Sequence, residues 1–253
     1  MLEALLTLSP ARILDVGAHR DKAFARFWTA LGPAVSADMP APAPRLLATV
    51  RGVVLDVGPG SGEQLRHFRA DRLRRVCGCE PAEGLHAALR ASAAAAGLGA
   101  KYDVLKCGAE PESLVPALAR AGLLREGREG EGIFDEVVCV RVLCGVPRLE
   151  ETVAGLYRLL KPGGRLVVCE HVVNPWRTRD GSVVARGFQW LYMMLGWTFF
   201  VGGCHLDRDT ERVLKEAAGR SGWANVELEP VDSWGAIPYV VGVLVKSNDR
   251  RDW

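Results

Sequence analysis

The sequence lacks an excess of one charge, an apolar run long enough to be read as a membrane span, and any paired Cys-x-x-Cys motif. Each absence removes a class of function. Lys+Arg number 32 against 30 Asp+Glu, a formal net charge of +2, so nucleic acid is not expected as a partner. The uncharged stretch 187–203 is about 17 residues, the lower edge of a bilayer span, and it contains Gln189 and Gly196. The opening run Met1–Leu8 is shorter still, has no basic flank and meets Ser9-Pro10, so no secretory signal is expected. The seven cysteines are odd in number and scattered, which points to a reducing, cytoplasmic setting without a disulfide framework or metal site. What is present is ordinary globular material, 49% hydrophobic and 25% charged in 253 residues, enough for one large domain with embellishments.

From residue 51 the pattern is regular. Apolar strands are predicted at 53–57, 76–79, 102–107, 134–140, 165–172, 226–228 and 240–245. Helices fall at 63–72, 82–96, 112–124, 149–160 and 209–221. Strands alternating with helices of this length imply βαβ units. The expected fold is α/β, a Rossmann-like, seven-stranded, mostly parallel sheet with helices on both faces. Residues 1–50 read as a helical extension of one or two short helices followed by a loop rich in proline, broken at Gly32-Pro33. Residues 51–247 form the domain, and 248–253 a flexible tail. A charged glycine-rich loop is expected at 125–132, and an insertion at 174–206 as a lid.

The first strand runs Val54-Leu55-Asp56-Val57 into Gly58-Pro59-Gly60-Ser61-Gly62. Glycines there let the backbone turn tightly and approach a ligand closely, and a helix from Ser61 would offer amides to a carboxylate or phosphate. A purely structural tight turn also explains such a loop. Pro59 is expected to hold Gly58 extended. Glu80-Pro81 follows the second strand, where a carboxylate can accept both hydroxyls of a ribose. Ala109-Glu110 follows the third, where an adenine edge would be read, and Leu160-Lys161-Pro162-Gly163-Gly164 turns the chain into the fifth.

In this combination the chain resembles the Class I S-adenosylmethionine-dependent methyltransferases over about residues 50–246. The spacing Gly58-x-Gly60-x-Gly62 departs from the Gly-x-Gly-x-x-Gly of dinucleotide enzymes. The resemblance implies S-adenosylmethionine as cofactor. It assigns Asp56 to ordering the loop, Gly58 and Gly60 to the methionine moiety and Glu80 to the ribose, and places Val140 and Arg141 under the cofactor. Ile13-Leu14-Asp15-Val16-Gly17 repeats the strand part of the motif without a second glycine. Asn174-Pro175-Trp176 is similar to the motif of base-amino methylases, but that motif follows the fourth strand, where Val140-Arg141-Val142-Leu143-Cys144 stands here. Three further stretches, 142–146, 169–172 and 203–210, resemble the small methyltransferase-like thiol methyltransferases. Many of these sit on endoplasmic reticulum and lipid droplets through a longer apolar N-terminal anchor than this chain has. Weak peripheral association with an intracellular membrane is the matching expectation.

Methyl transfer is an in-line displacement that gains most from alignment and desolvation. A thiol acceptor, of ordinary pKa ~8.5, is already partly ionised at neutral pH, whereas a phenol gains more from a base. His171 and His205 are the candidate bases, with core packing or a surface role as their plainer readings. Cys144 and Cys204 are candidates to line the acceptor pocket. Cys77, Cys79, Cys139 and Cys169 are expected in the core. Six of the chain's aromatics fall within residues 188–200, so Trp190 and Trp197 are expected to cover the crevice, with Phe24, Phe27 and Trp28 as a second wall. The function expected is methylation of a small hydrophobic acceptor, on sulfur first. An aromatic hydroxyl acceptor and a catalytically silent cofactor-binding partner subunit are the alternatives; no oligomeric state follows.

Overall fold

Seven short apolar segments, each flanked by turn residues, pair edge to edge in the computed structural model, which describes residues 16–124 and 132–248. The glycine-rich loop at 125–131, the Ile13–Asp15 part of the repeated motif and the tail at 249–253 lie outside the described residues. The strands are β1 (Gly52–Val57), β2 (Leu73–Cys79), β3 (Tyr102–Leu105), β4 (Phe134–Val140), β5 (Leu160–His171), β6 (Trp223–Val231) and β7 (Tyr239–Lys246). Their order is β3-β2-β1-β4-β5-β7-β6. The first five are parallel, and β7 inserts antiparallel between β5 and β6. This is the Rossmann-like sheet expected.

Alternation along each strand separates two cores. Leu55, Val137, Cys139, Leu166 and Val168 face one, whereas Val54, Val138 and Val167 face the other. This is the period of two that a half-buried pleat imposes. On the first face pack α4 (Pro111–Arg120), α5 (Leu149–Leu159) and α8 (Thr210–Glu216), through Leu114, Leu118, Val153, Leu156, Val213 and Leu214. On the second pack α2 (Pro42–Leu47) and α3 (His86–Ala95), through Leu47, Leu89 and Ala93. Asp209 starts α8 by accepting from the Arg212 amide, and Gly97 (φ +72) closes the turn after α3.

Three local departures from the sequence pattern have physical reasons. First, α1 (Val16–Ala37) is one helix of 22 residues that continues through Gly32-Pro33. An interior proline costs a helix roughly 3 kcal/mol; the helix nevertheless runs on, with Gly32 leaving room for the Trp28 indole, 3.0 Å from where its Cβ would stand. Second, the proline-rich loop becomes the start of α2, because a proline in a helix's first turn removes a donor that has no partner there. Third, residues 63–72 form two 3-10 turns, Glu63–His67 and Ala70–Arg72. Gly62 (φ +86) offers no side-chain cap, and Phe68 turns extended to enter the core.

The lid insertion holds α6 (Val183–Met194) and α7 (Trp197–Phe200). Its root is polar and buried. Asn174 donates to the Ser233 and Gly235 carbonyls (2.8 and 2.9 Å) and accepts from the Ser182 amide (2.9 Å). Gln189, also fully buried, accepts from the Asn174 amide and donates to the Val172 carbonyl. Asn174→Ala strands these backbone groups without partners, at about 1–3 kcal/mol each where they stay dry. The expected result is a clear fall in the denaturant midpoint; a midpoint within error of the native chain's would show that the lid is held elsewhere.

Candidate active site

The sheet's switch point lies between β1 and β4, whose following segments leave in opposite directions, and a ligand crevice opens there by topology. A cavity of about 1570 Å³ fills it, lined by Gly58, Pro59, Gly60, Glu80, Pro81, Ala109, Glu110, Val140, Arg141, Trp28, Cys144, His171, Trp197, Cys204 and His205 among others. Fifteen of the residues singled out by sequence thus meet on one surface.

Two do not. Asp56 is buried beneath the loop, where its carboxylate accepts from Tyr102 Oη (2.8 Å) and Gln64 Nε2 (3.3 Å). It reaches the cavity only through Gln64. Burial pushes its carboxyl up to about 7, against the lowering effect of those hydrogen bonds. Trp190 points away from the cavity and is 61% exposed. It lies two residues before Tyr192, about 200° round the helix, so the two cannot face the same side. The aromatic cluster therefore divides: Tyr192, Trp197 and Phe200 line the cavity, with Tyr192 stacked on Trp197 at 5.8 Å, while Trp190 and Phe199 face outward.

At one end the glycine loop is bare backbone. Gly58 and Gly60 have φ +56 and +61. Gly58 is thus not extended as Pro59 led one to expect, because a residue without Cβ escapes the clash that restricts others before proline. A Cβ on Gly58 would stand 2.3 Å from Val142, and one on Gly60 2.7 Å from the Trp28 indole nitrogen. Instead of a long helix offering its amides, the Gly60 amide donates to Glu80 Oε2 (2.9 Å) and the Ala82 amide to Oε1 (2.8 Å). Glu80 also lines the cavity, where ribose hydroxyls would meet it. Bare loop, buried carboxylate and the Ala109 turn fit S-adenosylmethionine.

The other end is made of sulfur, imidazole and rings. Cys204 Sγ lies 3.1 Å from His171 Nε2 and accepts from Trp197 Nε1 at 3.0 Å. Cys144 completes the cluster, all three donor atoms lying within 4.8 Å of one another. The Cys144 thiol donates to Cys204, which with His171 and Trp197 holds the Cys204 thiol below its ordinary range; that bond and burial hold Cys144 well above its own. His171 is 6% exposed and its Nδ1 has no hydrogen bond among the described residues. His205 sits at the rim, with Asp207 3.7 Å away.

Two residues of this wall carried only weak sequence signals. Glu170, a lone carboxylate in an apolar strand, accepts from the Val142 and Leu143 amides (3.0 and 3.1 Å), and burial pushes its carboxyl up to about 7. Arg208 donates to the Leu143 and Val146 carbonyls at 2.8 and 2.7 Å. Between them they fix the turn that carries Arg141 (φ +55) and Cys144.

A family model described as a methyltransferase domain matches residues 2–228. The chain belongs to this family of S-adenosylmethionine-dependent methyltransferases. Among curated relatives, the thiol S-methyltransferase TMT1B of Rattus norvegicus is 33% identical over 118 residues, 45% of this chain and 44% of that one. TMT1A of Homo sapiens is 28% identical over 121 residues, 46% and 45% of the two chains. The match thus spans just under half the length of these relatives. Among solved structures, an O-methyltransferase family protein of Burkholderia thailandensis superposes with TM-score 0.54 at 18% identity, over 91% of this chain and 59% of that one. A toxoflavin-precursor N1-methyltransferase of the same organism, solved with S-adenosylhomocysteine, gives 0.51 at 19% identity, over 89% and 88%. The [4+2]-cyclase SpnF gives 0.54 at 16% identity, over 88% and 84%. These likenesses concern the fold; chemistry has to be argued from the site.

A carboxyl raised by burial stabilises the fold while protonated. For Asp56 that contribution is complete below about pH 4 and is lost as pH rises to about 7. Asp56→Asn, neutral throughout, is expected to gain stability relative to the native chain across that window in urea titrations at fixed pH. A pH-independent difference would mean that Asp56 ionises normally.

Proposed function

We propose that this chain methylates a small hydrophobic thiol, using S-adenosylmethionine as donor. The observation that carries the proposal is the cavity's polarity: a nucleotide-type cradle at one end and an apolar, sulfur-rich wall at the other, joined without a partition. Similarity to named thiol S-methyltransferases supports the choice of sulfur.

In this reading Gly58, Pro59 and Gly60 hold the donor's amino-acid end, Glu80 and Pro81 its ribose, and Ala109 and Glu110 its adenine, with Val140 and Arg141 beneath. When bound, the donor supplies an electrophilic methyl carbon. Phe24, Tyr192 and Trp197 orient the acceptor and exclude water, where alignment alone can be worth roughly 7–11 kcal/mol, and Trp28 packs over the glycine loop at the donor end. The proton leaves at the Cys144–His171–Cys204 end. A second reading, O-methylation of a phenol, is favoured by one feature: the His171 imidazole lies on the cavity wall, where a base for a phenolic proton is needed.

S-adenosylmethionine is expected to raise the melting temperature of the native chain, and Glu80→Ala to weaken that effect at least ten-fold in concentration. Product formation is expected with hydrophobic thiols and not with phenols or amines of similar size. Turnover of phenols alone would replace the sulfur assignment by the second reading, and ligand-induced stabilisation without any turnover would make the chain a silent binding subunit.

No helix among the described residues is long and apolar enough to cross a membrane. Peripheral association is nevertheless part of the proposal. The outward lid face exposes Val184 (69%), Trp190 (61%), Met194 (67%) and Phe199 (52%), and Arg177 and Arg179 are exposed beside it. Exposed apolar side chains with two arginines, and one carboxylate at Asp180, in the loop before them suit the surface of an anionic bilayer. Co-sedimentation with phosphatidylserine-containing vesicles is expected to fall several-fold in a Trp190→Ser, Met194→Ser double variant. Equal binding by both chains would exclude this face.

A further inference from the structure

The turn after β4, the end of β5 and the loop leaving the lid bring Cys144, His171 and Cys204 to one point of the cavity wall. We infer that these three side chains form a zinc site, whose fourth position faces the cavity and takes the acceptor thiol. The inference rests on the thiol reading above for the identity of the fourth ligand, but not for the three protein ligands.

Geometry is the first support. Two thiolates and one imidazole around an open position are a known catalytic zinc set, with Zn–S about 2.3 Å and Zn–N about 2.0–2.1 Å. Tetrahedral angles then require S···S near 3.8 Å and S···N near 3.6 Å (estimates from those bond lengths). Here the three donor atoms lie within 4.8 Å of one another, with Cys204 Sγ 3.1 Å from His171 Nε2. Seating an ion requires these separations to change by about half an ångström to about one ångström.

The surroundings are the second support. Neutral thiol sulfur is a weak acceptor, yet the Trp197 indole N–H is aimed at Cys204 Sγ at 3.0 Å. Donors of this kind stabilise and orient metal-bound ligands from the outer shell. The backbone carrying Cys144 is immobilised from three sides: Glu170 takes the amides of Val142 and Leu143, Arg208 the carbonyls of Leu143 and Val146, and the His205 amide donates to the Cys144 carbonyl. A pair of thiols that merely filled space would not need their main chain so held. Soft thiolates also select zinc over the oxygen-seeking magnesium or calcium. The third support is exposure. All three ligand residues line the cavity, so the remaining coordination position opens on the acceptor's space.

The chemistry balances without a redox partner. The acceptor thiol displaces water from the ion, binds as thiolate and releases its proton to solvent. A lone pair on its sulfur then forms the new carbon–sulfur bond with the donor methyl. The sulfonium's carbon–sulfur bond breaks, its electron pair staying on the donor sulfur. The thioether product, a poorer zinc ligand than a thiolate, leaves.

The test uses the full chain, reduced and freed of metal, titrated with Co²⁺ in place of the spectroscopically silent Zn²⁺. One equivalent is expected to give near-ultraviolet sulfur-to-cobalt charge-transfer bands and the visible bands of a tetrahedral site, both removed by Zn²⁺. Cys144→Ser and Cys204→Ala should each weaken cobalt binding at least ten-fold, with circular dichroism confirming the fold. Cys77→Ala, in the sheet core, should leave it unchanged. Absence of the charge-transfer bands, or their persistence in Cys204→Ala, overturns the site, as does a Cys144–Cys204 disulfide that survives reduction. A hydrophobic alkyl thiol should shift the visible bands; an unaltered spectrum overturns the fourth-ligand assignment. Because these readouts need no turnover, metal and thiol binding without methylation would retain the site and remove the proposed activity. Full thiol methylation by metal-free protein would overturn the zinc role and leave the activity standing.

Discussion

One carboxylate holds the interior end of this cavity in shape. Glu170 stands at the end of β5, and both its oxygens accept main-chain amides from the turn that follows β4. The bond ties the turn after β4 to the neighbouring parallel strand β5, beside the β1–β4 switch point where the crevice opens. It lets Arg141 occupy a left-handed conformation unusual for a residue with a side chain. It also sets the reach of its neighbours: His171 is the next residue along β5, and Cys144 the next residue along the turn. Together with Arg208 and the His205 amide, that carboxylate sets the place of Cys144 against Cys204.

Much of the fold and the donor end of the site is legible in the sequence because both are written locally. A strand declares itself by a few consecutive apolar residues, and the loop by Gly58, Pro59 and Gly60 standing together. Glu80 follows its strand directly. The helix expected at 63–72 resolves into two 3-10 turns because apolar spacing at Leu65 and Phe68 is compatible with either, and only the missing cap at Gly62 separates them. At Gly32-Pro33 the local cost is visible in the sequence, while the packing of Trp28 over the glycine loop is not.

The proposed acceptor end is written non-locally, so its residues stand singly along the chain. Cys144, His171 and Cys204 come from three different connections, and no spacing in the chain announces their convergence. Trp190 is the converse case. Proximity in sequence grouped it with Tyr192 and Trp197, and helical geometry then sent it to the opposite face. The same sheet underlies a cyclase as well as methyltransferases, so these few side chains, rather than the architecture, distinguish one chemistry from another.

The root of the lid has a consequence of a different kind. Asn174 and Gln189 secure it almost entirely through main-chain groups, at Val172, Ser182, Ser233 and Gly235. Main-chain partners are indifferent to the residue type at those positions. This part of the attachment therefore depends on two amide side chains, while Tyr192, Met193, Trp197 and Val201 add apolar contacts of their own to Cys144, Cys204 and Leu206. A joint of this kind separates the root of the insertion from its two faces, so that a change on the outward face leaves the hydrogen bonds at the root untouched.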